Sequence, residues 1–565
     1  MSRPWTADLG DGRYRNPVLN ADWSDPDAIR VGDDYYLTAS SFGRVPGLPL
    51  LHSRDLVNWS LVGHALERLD PAEEFAVPQP GRGVWAPALR HHDGRFWIFW
   101  GDPDRGVCQV NSPSIEGPWT TPHLLKAGRG LIDACPLWDE ESGEAYLVHA
   151  WAKSRSGVKN RLTGHRMSPD GRELLDAGRT VVDGDLLPGW FTLEGPKLYR
   201  RDGWYWILAP AGSVATGWQG AFRAREFFGP YEERVVLAQG RTEVNGPHQG
   251  AWVTGAAGDE WFLHFQDRGA YGRVVHLQPL RRDEAGWPVV GAGGEPVTVH
   301  PKPALPAHVA PPEVRAPATD DDFPGGGFGP QWQWAANPVP GQALPGDGDG
   351  LRLACRRTPD AHDLRLLPGA LVQRLPAESF TVTVELALEG CGPGDETGVG
   401  PGEGAGGHEG DGTGAKAGLA VLGDTFTWIG LERGADGTVA LVHRFMEVGG
   451  SHERDAAPPR PAPDGRAALR FEVTPGARCW FAADTGDGFR ASGQPYAAAP
   501  WGWCGAQVAL FATAPPRGGA GAGTGDGTPE GPAGAAGTAG TAVFTTFRAT
   551  DLPPRPAPPA PAPPA

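Results

Sequence analysis

The chain has 565 residues and a formal net charge of −17 at pH 7, too long for one hydrophobic core and suited to two or three domains. Its 83 Gly and 58 Pro disfavour a helix-rich fold, while 22 Trp, 21 Phe and 9 Tyr exclude disorder throughout, because unfolded chains lack the apolar groups to build a core. The acidic balance argues against nucleic acid or an anionic membrane as partner and suits a neutral ligand. An all-β protein with many turns is the class that remains.

The opening Met1-Ser-Arg-Pro-Trp-Thr-Ala-Asp has no apolar signal-like region, and no stretch approaches the ~18 apolar residues of a membrane helix. The six cysteines are scattered with no Cys-x-x-Cys pair, which reads as free thiols and no zinc site. A cytoplasmic protein is expected.

From the amino end, one pattern recurs: a polar turn with Asp or Gly, then two large residues entering an apolar strand. It reads Gly32-Asp-Asp-Tyr-Tyr-Leu, His92-Asp-Gly-Arg-Phe-Trp-Ile, Ser142-Gly-Glu-Ala-Tyr-Leu-Val, Arg201-Asp-Gly-Trp-Tyr-Trp-Ile and Gly258-Asp-Glu-Trp-Phe-Leu. Five hairpin units of roughly 50–60 residues match the blades of a β-propeller, placed at 14–300. A Pro-rich linker at 301–318 follows. Alternating strands such as Phe380-Thr-Val-Thr-Val-Glu-Leu-Ala-Leu then predict a β-sandwich of the concanavalin/lectin-like kind at 319–552. Two Gly-rich tracts, about 390–416 and 516–541, read as expanded surface turns, and the Pro/Ala tail at 553–565 as a solvated end.

Propeller ligands bind where the inner strands converge, so acids on inner strands of different blades are the catalytic candidates. Asp25 precedes the first repeat, Asp133 the third and Glu194 the fourth, each on an apolar strand followed by Pro or Gly. Acids buried on apolar strands are costly without a purpose or a partner. Asp22 and Asp27 compete with Asp25.

Asn16-Pro-Val-Leu, Asp25-Pro-Asp, Val84-Trp-Ala-Pro-Ala-Leu-Arg, Leu193-Glu-Gly-Pro-Lys-Leu-Tyr and Gly272-Arg-Val-Val-His-Leu-Gln-Pro-Leu together resemble glycoside hydrolase family 43. Within it, Asp321-Asp-Phe and Gln331-Trp-Gln-Trp-Ala-Ala-Asn-Pro are similar to the start of the carboxy-terminal sandwich of two-domain β-xylosidase-like members. The resemblance implies an inverting exo-glycosidase with Asp25 as general base, Glu194 as general acid and Asp133 orienting the acid and tuning its pKa. It further implies Trp85 and Phe42 at the sugar, Arg273 on its hydroxyls, and His248 as a central histidine that lies by the base in parts of the family. No cofactor is required, and a structural calcium on the propeller axis is left open. The family commonly has His-Gly where this chain has His248-Gln249.

The expected partner is a small oligosaccharide, with homo-oligomerisation undecided. The expected reaction removes terminal β-D-xylosyl units from xylo-oligosaccharides. α-L-Arabinofuranosyl is the alternative, and a non-catalytic sugar-binding propeller is the rival of another class. Asp424-Thr-Phe-Thr-Trp-Ile-Gly and His443-Arg-Phe-Met-Glu-Val-Gly are candidates for a sandwich contribution to the pocket mouth or, equally, for sandwich core.

Overall fold

The computed structural model describes residues 3–346, 348–390, 414–516 and 537–552. The Gly-rich tracts expected at about 390–416 and 516–541 therefore fall largely outside the described residues, as does the tail. Where they are described, strand Lys416–Leu422 begins inside the first tract and strand Thr538–Asp551 inside the second.

The repeats become five four-stranded antiparallel blades at 27–66, 85–127, 131–183, 197–238 and 248–290, each with its strands in sequence order. The turns follow from their residues. Asp93-Gly94 and Asp202-Gly203 have positive φ at both positions (48° and 67°, 50° and 71°), the type I′ geometry that Asp-Gly favours and that matches strand twist. Burial is concentrated on the second strands, where Arg95–Asp102 has seven of eight residues buried. The outer strand of the same blade, His123–Ala127, has none. Since each blade is one consecutive stretch, the ring is closed by other means: Leu19 and Val275 exchange backbone hydrogen bonds of 3.2 and 2.9 Å, and Arg13–Arg15 pairs with Val299–Pro301.

The inner strands share one irregularity. Each has a left-handed residue at its entrance: Asp25 (φ 54°), Ala86 (40°), Asp133 (59°), Gly195 (59°) and Gln249 (35°). Pairing register shifts beside three of them, between Trp85 and Ala88, Ile132 and Cys135, and His248 and Gly250. Such bulges re-aim side chains, and a non-glycine residue held in this region costs on the order of 1 kcal/mol or more.

Below these entrances the first four inner strands meet in a polar layer. Asp27 Oδ2 accepts hydrogen bonds from Arg90 Nη1 (2.7 Å) and the Leu89 N–H (2.8 Å), with Lys197 Nζ 3.7 Å away. Lys197 in turn donates to the Pro87 carbonyl (2.6 Å) and Arg90 Nη2 to Cys135 Sγ (2.8 Å).

Residues 302–319 carry no strand and are pinned to the first blade, where Asn58 Oδ1 accepts the Arg315 N–H at 2.9 Å. Beyond them one long sheet path rolls into a nearly closed sandwich, with Gln507–Ala514 at its centre, buried at every position. Its core holds Trp332, Phe380, Leu469, Phe471, Leu510 and Phe544. The segments that offered aromatics for the pocket mouth are the strands Phe426–Arg433 and Val439–Met446. Phe426, Trp428 and Met446 lie in a second apolar cluster of the sandwich. Of the two readings left open, these three residues take that of sandwich core.

The two domains are sewn together tightly. Val45 and Trp334 form a β-bridge, with hydrogen bonds of 3.1 and 2.6 Å. Arg44 Nε donates to Gln507 Oε1 at 2.6 Å, and Asn337 bonds both backbone groups of Leu69 (2.9 and 2.8 Å). Tyr271, from the last blade, belongs to the sandwich core, and its hydroxyl accepts the Ala477 N–H at 2.7 Å. A 1–305 fragment would expose Tyr271, Trp23 and Val45 together. Soluble monomers rarely tolerate such a patch, so the fragment is expected to aggregate on size-exclusion chromatography; a stable soluble monomer would show that the propeller does not need its partner.

Candidate active site

The bulged entrances place one residue per blade around a common mouth: Asp25, Trp85, Asp133, Glu194 and His248. Asp25 is 6% exposed and Asp133 5%, whereas the Glu194 side chain keeps 29% of its surface open. Asp25 accepts hydrogen bonds from Ser40 Oγ (2.6 Å) and Ser24 Oγ (3.0 Å) on one oxygen and from Arg273 Nη1 (2.8 Å) on the other. Ser40 Oγ also accepts the Ala86 N–H at 2.7 Å, which ties the first inner strand to the second. Asp133 Oδ2 accepts the Gly195 N–H at 2.7 Å, so it grips the backbone next to Glu194. Only glycine suits position 195, because a Cβ there would lie 2.8 Å from the Gln249 side chain as well as sitting at positive φ.

The electrostatics follow from burial. Glu194 is raised well above the ordinary glutamate range, first by desolvation and then by the neighbouring Asp133 carboxylate. Asp133 is raised by desolvation and by Asp25, against the lowering effect of the Gly195 N–H. Lys197 and Arg273 both lower Asp133, and Arg273 is shared among Asp25, Asp267, Asp22 and Glu194. Desolvation and mutual repulsion still leave both Asp133 and Glu194 raised. Desolvation, followed by repulsion from Arg273, pushes His248 down to about 3, which leaves its ring neutral.

His248 sits beside Glu194, with Nε2 3.6 Å from Oε1. Phe42 is 3% exposed and packs edge-on against Trp85 at 6.3 Å, so it supports the Trp85 ring. Asp27 is fully buried in the polar layer. Asp22 is spent on the backbone, accepting the Arg273 N–H (3.0 Å) and the Gly505 N–H (2.9 Å). Both rivals of Asp25 thus have structural partners.

Sequence reasoning missed Ser24, Ser40 and Trp503. Trp503 stands at the tip of the turn Trp501–Cys504, whose ends exchange backbone hydrogen bonds of 2.8 and 3.1 Å. Arg44 Nη1 holds Cys504 Sγ at 2.8 Å. The Trp503 ring, 51% exposed, lies 6.1 Å from that of Trp85 and 5.8 Å from the Arg273 guanidinium carbon. The sandwich therefore does supply a wall of the mouth, through Trp501-Gly-Trp-Cys. Trp85 Nε1, Gln249 Nε2, Arg273 Nε and both His248 nitrogens are buried without a hydrogen-bond partner, though Arg273 Nε lies 3.9 Å from Asp267 Oδ2.

The sequence profile of glycosyl hydrolases family 43 matches residues 14–288, and that of the β-xylosidase C-terminal concanavalin A-like domain matches 320–400. A Xylanibacter ruminicola protein described as "Putative beta-xylosidase" is 39% identical over 389 residues, 68% of this chain and 70% of that protein. The chain belongs to glycoside hydrolase family 43. This family 43 protein is also 31% identical to the "Non-reducing end alpha-L-arabinofuranosidase" of Bacteroides ovatus, over 59% of its own length and 64% of the relative's. Its fold matches a xylan β-1,4-xylosidase from Bacillus halodurans with a TM-score of 0.76 at 21% identity, covering 95% of this chain and 100% of that one.

No group of three or more His, Cys, Asp or Glu side chains that could hold a metal ion gathers among the described residues.

The raised Glu194 makes a stability prediction. Its folded-state proton is retained above the unfolded pKa, so this group's contribution to stability is full in acid and drains away as pH rises. Glu194→Gln removes that loss. The variant is expected to unfold at a higher temperature than the parent at pH 8, by on the order of 1 kcal/mol, with the gain vanishing near pH 4. Calorimetry at the two pH values checks this; a gain independent of pH would mean that Glu194 is not held protonated.

Proposed function

We propose that the protein is an inverting exo-glycosidase that removes terminal β-D-xylosyl units from xylo-oligosaccharides. The observation that carries the reaction is the pairing of unlike carboxyl groups at one mouth. Asp25 is an acceptor braced by two hydroxyls and a guanidinium, and Glu194 is an acid held protonated by burial and Asp133. In the proposed cycle, Asp25 takes a proton from a water on one face of the sugar. Glu194 delivers its proton to the departing oxygen on the other, and the anomeric carbon is displaced once. Asp133 keeps the Glu194 backbone in place through Gly195 and keeps the proton on the acid through its charge. A non-catalytic binding propeller would have no need to pay for three desolvated carboxylates in one patch.

Exo action is supported by the Trp503 turn, which narrows the approach beside Trp85. The Trp85 and Trp503 rings offer apolar faces to a sugar. The xylosyl assignment rests on the relatives' names. The arabinofuranosidase among them supports α-L-arabinofuranosyl as the second reading, and a panel of nitrophenyl pentosides separates the two.

Two results are expected. Glu194→Ala loses a factor of roughly 10²–10⁴ on xylobiose but far less on substrates whose leaving group needs no proton, such as dinitrophenyl xyloside; equal losses on both would give Glu194 another role. Proton NMR before mutarotation shows α-xylose as the first product from a β-linked substrate. Initial release of β-xylose would overturn the assignment of Asp25 as base.

A further inference from the structure

Away from the mouth, a cavity of about 290 Å³ lies at the seam between the first blade, the chain before it, the linker and the sandwich. Its walls include the indoles of Trp5 and Trp23, the side chains of Asn20, Gln331 and Gln373, and the guanidinium of Arg374. Three features set it apart from a packing gap.

The first is an uncompensated cation. Arg374 Nε donates to the Asp22 carbonyl at 2.7 Å, and its guanidinium carbon lies 4.0 Å over the Trp23 ring. Among the described residues its two terminal nitrogens have no hydrogen-bond partner, and no carboxylate lies within ion-pair distance. Desolvation lowers Arg374 to about 10, with the attraction of Asp22 opposing that shift and repulsion from Arg44 adding to it. The nearest carboxylate, Asp22, is engaged by the Arg273 and Gly505 N–H groups. Asp320 also lines the cavity, but one of its oxygens accepts the Ala549 N–H at 2.8 Å. Arg374 is half-buried, and an arginine fork with its terminal nitrogens unengaged matches a carboxylate geometrically.

The second feature is Asn20, which is 7% exposed, lines the cavity and carries no side-chain hydrogen bond. The third is the pair of glutamines. Gln373 Nε2 donates to the Thr319 carbonyl at 3.1 Å and Gln331 Nε2 to the Asp320 carbonyl at 2.9 Å, which leaves both amide oxygens without a protein donor. Amide groups beside indole walls suit the hydroxyls and the carbon face of a sugar ring.

We propose that this seam cavity is a second, non-catalytic binding site for a sugar carboxylate, a uronate, with its carboxylate on Arg374 and its hydroxyls on Asn20, Gln331 and Gln373. The site is separate from the catalytic mouth and does not rest on the reaction proposed above. Because the Asp22 carbonyl holds Arg374 while its carboxylate holds Arg273 and the Trp503 turn, an occupant would clamp both domains at one residue.

The test is calorimetric titration and thermal unfolding of the full-length protein with sodium D-glucuronate at fixed ionic strength, with D-glucose and sodium chloride as controls. Glucuronate is expected to bind and to raise the unfolding temperature, while the two controls do neither. Arg374→Met weakens binding about tenfold or more, the cost of a charge-assisted pair. Asn20→Leu, which leaves the seam's charges intact, also weakens it and serves should Arg374→Met fail to fold. Trp503→Ala, at the mouth, leaves it unchanged. The proposal is overturned by absence of binding, by equal binding of glucose, by loss of binding in Trp503→Ala, or by unchanged affinity in Asn20→Leu.

Discussion

Asp25, Asp133 and Glu194 converge where water is scarce and the opposing charge comes from Arg273 and Lys197, and the rest of the molecule is arranged around that crowding. Arg273 can neutralise one partner fully, and it is bonded to Asp25. The remaining pair, Asp133 and Glu194, cannot both ionise at low cost when desolvated. The proton settles on the member that retains an opening to the mouth. Acid and base are thus told apart by surroundings rather than by residue type.

Holding that arrangement requires support from below and from the side. The left-handed entrances aim one side chain per blade at the mouth and cost backbone strain, which the rigid blades absorb. The Asp27, Arg90 and Lys197 layer fills the space beneath with one carboxylate held between two cations. On the side, the loop 269–272 sends Tyr271 into the sandwich core while Arg273, two residues on, reaches Asp25. Asp22 joins that arginine's backbone to Gly505 and hence to the Trp503 turn. A Cβ at Gly505 would lie 2.6 Å from the Gly272 nitrogen, so the two domains meet here backbone to backbone. The sandwich is part of the active-site scaffold.

Much of this was legible in the sequence. The blades announced themselves because Asp-Gly turns and aromatic second strands obey local rules that repeat, and the candidate acids shared one phase of the blade. Ser40 was not legible, since a serine beside another serine carries no pattern until the fold brings it to Asp25. Trp503 was hidden for a related reason: its turn belongs to the sandwich and gains meaning only from docking. Phe426 and Trp428, by contrast, looked suited equally to a mouth contact and to a core, and lie on a strand whose first six residues are all buried. Gln249 shows the limit from the other side. The family's usual glycine fits the positive φ observed there, yet nothing local tells why glutamine is tolerated.

The account stands or falls on the claim that the Asp133 charge keeps the proton on Glu194. The pH dependence of kcat/KM on xylobiose, compared between the parent and Asp133→Asn, tests it most directly, because that profile reports the ionisations of the free enzyme. Asparagine can still accept the Gly195 N–H, so geometry is largely kept while the charge is lost. The alkaline limb should move to lower pH by about one unit or more. An alkaline limb that stays in place, or moves upward, would contradict the account.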